Sequence, residues 1–311
     1  MSGTDLVTGG AGFVGSHLVE ALVKKGRKVR VLDDLSTGMI CNLDPIKSNV
    51  EFFQGSILND ADINMATRGV ENVYHLAAVA SVQKSMEMPL FSHDVCATGT
   101  LKVLQAAKLN QCRRLIFAAS SSAYGNTGDV ALDEATKLDP LSPYASSKLA
   151  GEYHAIAYAR VMGLETVRLR FFNIFGPKQR GDSPYSGVIA IFADAFRKGN
   201  APTIFGDGMQ SRDFIFVLDA VQALLLAGEK SGISGEVFNV GTGKSTSLLD
   251  LASYFQSITG KILAPKHLPP RSGDIRHSLA DISKARKVLG FDPKFDVLTG
   301  LKHLVYFLGL T

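Results

Sequence analysis

Short apolar runs recur along the first half of the chain, each followed by a longer segment of mixed character. Leu6-Val7 closes the first run, and Lys28 to Leu32, Val50 to Phe53, Asn72 to Leu76, Leu115 to Ala119 and Thr166 to Leu169 continue the series. Runs this short and this apolar read as strands buried on both faces. The segments at about residues 13–25, 90–110 and 144–162 space their apolar positions as helices do. Strand, helix, strand in repetition predicts right-handed crossovers and an α/β fold, a Rossmann-type doubly wound parallel sheet. The first strand is weakly written, because Gly3, Thr4 and Asp5 are poor strand formers.

After Phe171 the loops lengthen and gain Gly and Pro, as in GPKQRGDSPYSG at 176–187. A domain change is therefore expected near residue 170, with residues 1–170 forming the first unit and 171–311 a smaller interleaved α/β unit. Residues from about 215 to 245 are expected to return to the first unit, because Glu236 to Val240 again reads as a buried parallel strand. With 311 residues, 46% of them hydrophobic, the chain can bury a core of that size. Its formal charge of +4 is spread out with no run of five basic residues, which argues against nucleic acid and allows a small anionic ligand. Cys41, Cys96 and Cys112 show no paired spacing, so neither a disulfide framework nor a metal site is expected. With no leader-like start and no window of 18 apolar residues, a cytoplasmic protein without a membrane partner is expected.

Candidate chemistry begins at Thr8, where TGGAGFVGS places glycines at 9, 12 and 15 between a strand and an amphipathic helix. Bare backbone there lets a pyrophosphate approach the helix N-terminus, where amides and the helix dipole favour an anion. The second strand ends in Asp33-Asp34, and a carboxylate at that point accepts from ribose hydroxyls and repels a 2′-phosphate. The combination predicts NAD rather than NADP. Further on, SPYASSKLAG at 142–151 opens with a capping Ser142 and with Pro143 in the first turn. Tyr144 and Lys148 then stand one turn apart on one face. An ammonium about 5 Å from the phenol, at an effective dielectric of about 20, would lower its pKa by roughly two units and make Tyr144 a usable base.

Taken together these segments resemble the extended short-chain dehydrogenase/reductases that act on nucleotide sugars, and most closely the UDP-hexose 4-epimerases. The resemblance runs through TGGAGFVGS, DDLSTG at 33–38, HLAA at 75–78, SSSAYG at 120–125, SPYASSK at 142–148, RFFNIFGP at 170–177, FGDGMQSRDF at 205–214 and RSGDIRHSLAD at 271–281. It implies catalysis by Ser120, Tyr144 and Lys148, with Ser120 beside the reacting hydroxyl. It implies an NAD site built from Gly9, Gly12, Phe13, Val14, Gly15, Asp33, Asp34, Ser36, Thr37, Gly38, Ser56, Ile57, Leu76, Ala77, Ala78 and Phe171, together with Tyr144 and Lys148. A UDP-sugar would meet Ser120, Ser121, Ser122, Asn173, Val188, Thr203, Phe205, Arg212, Arg271, Asp274 and Ser278. Within that set the two arginines would grip the diphosphate.

Five positions refine the expectation. The related dehydratases resemble an Asp-Glu pair where this chain has Ser121 and Ser122, and two hydroxyls cannot serve as carboxylate acid and base for elimination. Ser278 stands where a bulky Tyr restricts relatives to plain hexoses, so an N-acetylated sugar is expected to fit. Cys96 stands in place of a usual Asn, and Ser56 in place of a usual Asp that contacts adenine. The implied reaction is C4 epimerisation of UDP-N-acetylglucosamine and UDP-N-acetylgalactosamine, with UDP-glucose and UDP-galactose as further candidate substrates. The alternatives are a UDP-glucose-only or UDP-glucuronate 4-epimerase, or an NAD-binding sensor or structural protein without catalysis. Relatives also imply a homodimer through a four-helix bundle, here from residues 98–110 and 147–160.

Overall fold

The computed structural model describes residues 3–181, 186–270 and 275–310. Seven strands build the main sheet: β1 (Thr4–Thr8), β2 (Lys28–Asp33), β3 (Val50–Gln54), β4 (Val70–His75), β5 (Arg114–Ser120), β6 (Glu165–Phe171) and β7 (Val237–Val240). All pairings are parallel, in the order β7-β6-β5-β4-β1-β2-β3. The order reverses beside β1, and a crevice at such a switch point, outside the carboxyl ends of the strands, is where ligands bind in sheets of this kind.

The weakly written first strand is held by charge. Asp5 is buried, and both of its oxygens accept from Arg27, from Nε at 2.7 Å and Nη2 at 2.8 Å. Asn72 Nδ2 of β4 adds a third bond at 2.9 Å. A carboxylate so satisfied can sit in a central strand that propensity disfavours.

Helices cover both faces. One apolar cluster joins α1 (Phe13–Lys24) to the helix Val217–Glu229 through Leu18, Leu22, Leu224 and Ala227. The other packs α2 (Asp60–Thr67), α3 (Gly99–Leu109) and α4 (Pro143–Ala157) over Leu115 and Phe117. The helix expected over 90–110 is Pro89–His93 followed by α3, with a wider π-type turn at Asp94–Thr98 between them. That turn carries Cys96 and Ala97, both buried. The expected helix over 144–162 likewise ends in a π-type turn, Tyr158–Met162, closed by Gly163 in the left-handed region (φ 71°).

The later chain leaves the main sheet and returns with β7. In between and beyond it builds a third apolar cluster around Phe192, Phe196, Phe216 and Phe255. The Phe196 and Phe255 rings stack with centroids 5.2 Å apart. Short strands frame this cluster. Asn173–Phe175 pairs with Phe214–Phe216, Thr203–Phe205 with Lys266–Leu268, and Ser211–Arg212 lies between Thr246–Ser247 and His277–Ala280. Among the described residues no helix is long and apolar enough to cross a membrane.

Candidate active site

The glycine loop follows β1 directly, and contact constrains Gly9, Gly12 and Gly15 among its glycines. Gly9 has φ +72°, and a Cβ on it would lie 2.9 Å from the Ala77 amide nitrogen. A Cβ on Gly15 would lie 2.1 Å from the Gly9 carbonyl oxygen, and one on Gly12 3.1 Å from the same atom. The loop therefore folds onto itself and onto the Leu76–Ala78 segment, and no acidic side chain occupies the first turn of α1. A bare cradle at a helix N-terminus fits a dinucleotide pyrophosphate.

The loop after β2 is clasped against this cradle. Asp33 is buried, and its Oδ2 accepts from the Ala11 amide while its Oδ1 accepts from Leu35, both at 2.9 Å. Burial raises the Asp33 carboxyl and those two amides oppose the rise. Asp34 is exposed and caps the turn by accepting from the Ser36 amide. A cleft here is lined by Gly12, Phe13, Thr37, Met39, Asn42, Lys178 and Arg180. Gly38 is pressed to Asp33, where a Cβ would stand 2.8 Å from Oδ1. Ser56 spends its hydroxyl on its own turn, accepting from the Leu58 amide, and its amide donates to Asp62. Ile57 is buried beside it.

Beneath the crevice runs a directed chain of hydrogen bonds that the sequence did not disclose. Thr100 Oγ1 donates to the Cys96 carbonyl at 2.7 Å, so it must accept from His75 Nε2 at 3.0 Å. His75 Nδ1 then accepts from Thr8 Oγ1 at 2.7 Å, and that oxygen accepts from the Ala77 amide. The directions fix the neutral Nε2–H tautomer. Full burial, helped by the Lys148 charge, pushes the His75 pKa down to about 3. Only the fold, not spacing, could reveal this chain, since its members come from β1, β4 and α3.

Ser120 ends β5, and Tyr144 and Lys148 come from α4, which Ser142 caps through the Ala145 amide. Gly151 lets this helix approach the sheet, since a Cβ there would meet the Phe117 ring at 2.8 Å. Lys148 is buried, with Nζ 4.2 Å from the Phe117 ring centroid. The ammonium-driven lowering expected for Tyr144 is not what the protein produces. Burial and the neighbouring Cys96 push the phenol up to about 12, and a hydrogen bond with Ser120 opposes them. Burial lowers Lys148, while Cys96 and the Glu152 carboxylate one turn on raise it.

Glu152 anchors a buried network below the site. Arg170 of β6 donates to it from Nε at 3.0 Å and from Nη2 at 2.9 Å. Arg170 also donates to the Tyr124 hydroxyl, which donates to Asn239 of β7 at 2.6 Å. Asp213 is the matching hub of the later chain, fully buried and accepting from the Thr242 amide and hydroxyl, the Gly243 amide and the Ala280 amide. Neither hub belongs to the residues singled out from the sequence, because a lone Glu on a helix or a lone Asp between two short strands carries no local signal.

The later-chain candidates divide. Arg212 and Ser278 pair across adjacent strands, and Ser278 is buried. Arg212 Nη1 donates to the Ser211 carbonyl at 2.9 Å and to the Arg276 carbonyl at 3.2 Å. Asn173 is exposed at the start of its short strand, Val188 opens the helix Val188–Arg197, and Thr203 and Phe205 share one strand. Arg271 and Asp274 lie outside the described residues. Phe171 is buried at the end of β6.

The model of the NAD dependent epimerase/dehydratase family matches residues 6–241, from within β1 to the end of β7. The chain belongs to this family. It is an enzyme, and NAD is its cofactor. The chain is 38% identical over 306 residues to a UDP-glucose 4-epimerase of Mycolicibacterium smegmatis, covering 97% of each. A UDP-N-acetylglucosamine 4-epimerase from Methanobrevibacter ruminantium, solved in complex with UDP-N-acetylmuramic acid, superposes with a TM-score of 0.94 at 37% identity over 98% of both chains. The UDP-glucose 4-epimerase of Thermus thermophilus, solved with NAD, gives 0.91 at 33% identity over 98% of this chain and 99% of that one.

Proposed function

We propose that UDP-N-acetylglucosamine and UDP-N-acetylgalactosamine are the pair that this NAD-dependent UDP-sugar 4-epimerase interconverts, with UDP-glucose and UDP-galactose accepted as smaller substrates. The observation that carries the choice of sugar is Ser278, a small buried side chain beside Arg212. A pocket wide enough for an acetamido group has no need to reject a hydroxyl. The M. ruminantium relative named for the N-acetylated sugar supports the same choice.

In this reading Gly9, Gly12 and Gly15 receive the NAD pyrophosphate and Asp33 meets the adenosine ribose. Bound NAD supplies a reversible hydride acceptor. Tyr144 takes the proton of the sugar 4-hydroxyl, Ser120 holds the phenol oxygen, and Lys148 keeps positive charge near the pair. Arg212 and Arg271 hold the diphosphate and Asp274 the uridine ribose, while Asn173, Val188, Thr203 and Phe205 border the nucleotide sugar. Ser121 and Ser122 supply no carboxylate, which supports oxidation and re-reduction over loss of water. The enzyme pairs through residues 98–110 and 147–160, where Leu109 and Tyr153 are exposed. Its three free cysteines suit a cytoplasmic setting.

The deciding experiment is proton NMR of the purified protein with UDP-N-acetylglucosamine, UDP-glucose and UDP-glucuronate in separate tubes. The anomeric signal of the N-acetylgalactosamine product is expected in the first. Conversion of UDP-glucose alone would overturn the assignment from Ser278 and keep the reaction. Conversion of UDP-glucuronate alone would replace the substrate class.

A further inference from the structure

Arg212 and Phe214 belong to different small sheets, and Asp213 stands between them. Before it, Ser211–Arg212 pairs with His277 and Ser278; after it, Phe214–Phe216 pairs with Asn173–Phe175. The Asp213 amide donates to the Ser278 carbonyl at 2.8 Å, and the Asp213 carbonyl accepts from the Asn173 amide at 3.0 Å. One residue thus hands the chain from the sheet that carries Ser278 to the strand pair that carries Asn173. Asn173, Arg212 and Ser278, all read as bordering the nucleotide sugar, meet at its backbone.

The Asp213 side chain ties this junction to the main sheet. It is fully buried, and its Oδ1 accepts from the Thr242 amide at 2.8 Å and the Thr242 hydroxyl at 2.7 Å. Its Oδ2 accepts from the Gly243 amide at 2.9 Å and the Ala280 amide at 3.3 Å. Thr242 and Gly243 follow β7, and Ala280 ends the strand of Ser278. Gly241 closes the cradle, since a Cβ there would lie 2.7 Å from Oδ2. These donors are neutral. A carboxylate accepts from them on both oxygens, whereas an amide of the same shape would set its own hydrogens against donors.

We propose that Asp213 is a positioning residue for nucleotide-sugar binding, which fixes Arg212, Ser278 and Asn173 relative to one another and to β7 so that the diphosphate meets a preformed set of groups. The proposal rests on the reading of Arg212 as a diphosphate ligand. A strand of two residues such as Ser211–Arg212 has few ladder bonds of its own, so its place depends on what anchors its end. A guanidinium grips phosphate through donors fixed in one plane, and a small shift of its backbone spoils that match. The Arg212 guanidinium is already oriented by these strands, through the Ser211 and Arg276 carbonyls. Burial makes the anchor strong, because water cannot replace a donor lost there.

The test is a double-mutant cycle on UDP binding, measured by titration calorimetry on the full-length NAD-loaded protein. Thr242→Ala removes one donor to Asp213 and keeps the amide, and Arg212→Ala removes the phosphate ligand. T242A is expected to weaken UDP about three- to tenfold and to raise KM for the UDP-sugar by a similar factor, with less change in kcat and NAD content near wild type. In the R212A background the same change is expected to move UDP affinity by less than about twofold, since the group being positioned is gone. Thr242→Ser keeps the hydroxyl and is expected to bind UDP as the wild type does. Asp213→Asn should act in the same direction and more strongly, by about tenfold or more; the milder T242A keeps the test decisive should the asparagine variant fail to fold. Equal weakening by T242A in both backgrounds would overturn the proposal, because general loosening does not need Arg212. Wild-type UDP affinity in T242A would overturn it as well, as would a loss confined to kcat. An R212A protein that binds UDP like the wild type would instead overturn the reading of Arg212, and the proposal with it.

Discussion

Around Gly9, Gly12 and Gly15 the candidate site is made by missing side chains; around Ser120, Tyr144 and Lys148 it is made by polar side chains, the lysine among them buried. Both regions lie at the carboxyl edge of the same sheet, at the ends of β1 and β5. In the first, backbone meets backbone at distances that leave no room for a methyl group. In the second, burial raises Tyr144 and lowers Lys148 and His75. The cradle is therefore set by volume, whereas around Tyr144 and Lys148 burial bears on ionisation.

The largest separation between the two regions is expected from Tyr144→Phe. Loss of the phenol oxygen should cut turnover by about a thousandfold or more, roughly 4 kcal/mol on the barrier, while the bound NAD measured after denaturation stays near one per chain. Full activity in that variant would remove Tyr144 from the proton site. Gly15→Ala should do the opposite. With a new methyl forced against the Gly9 carbonyl, NAD content should drop and stability should fall by about 2–3 kcal/mol in urea denaturation. Gly26→Ala is the control, since Gly26 has φ +74° and open space around it; backbone strain alone should cost about 1 kcal/mol and leave NAD in place. Equal effects from the two alanines would show that the cradle is not set by contact.

A finer test concerns His75. Its folded pKa is depressed to about 3 from 6.5, so below pH 6.5 the unfolded chain binds a proton that the folded protein refuses. Stability contributed by the neutral ring is complete above pH 6.5 and is lost as pH falls toward 3. Between pH 7 and pH 5 the wild-type protein should lose about 2 kcal/mol more than His75→Gln. Identical losses would mean that His75 is not held neutral.

Much of this was legible along the chain because the signals are local. Strand runs, a glycine triplet and a tyrosine one turn before a lysine each reflect the geometry of a few neighbouring residues. Even the exposed Asp34 was visible as a polar residue at a strand end, and Ser56 through the family resemblance, though not the bonds that occupy them. The interruptions at Asp94–Thr98 and Tyr158–Met162 were not visible, since a π-type turn keeps the composition of the helix around it.

Periodicity and turn chemistry along the chain are enough for the parallel sheet, the place of the phosphate loop and the pairing of Tyr144 with Lys148, because backbone sterics act over a few residues. The ionisation of those groups is different, since it depends on how much water and which charges surround each one. Lys148 meets the Phe117 ring, Cys96 acts on Tyr144 from the turn Asp94–Thr98, and Asp5 of β1 finds Arg27 just before β2. Burial and long-range contact are properties of packing, and packing exists only once the layers have closed.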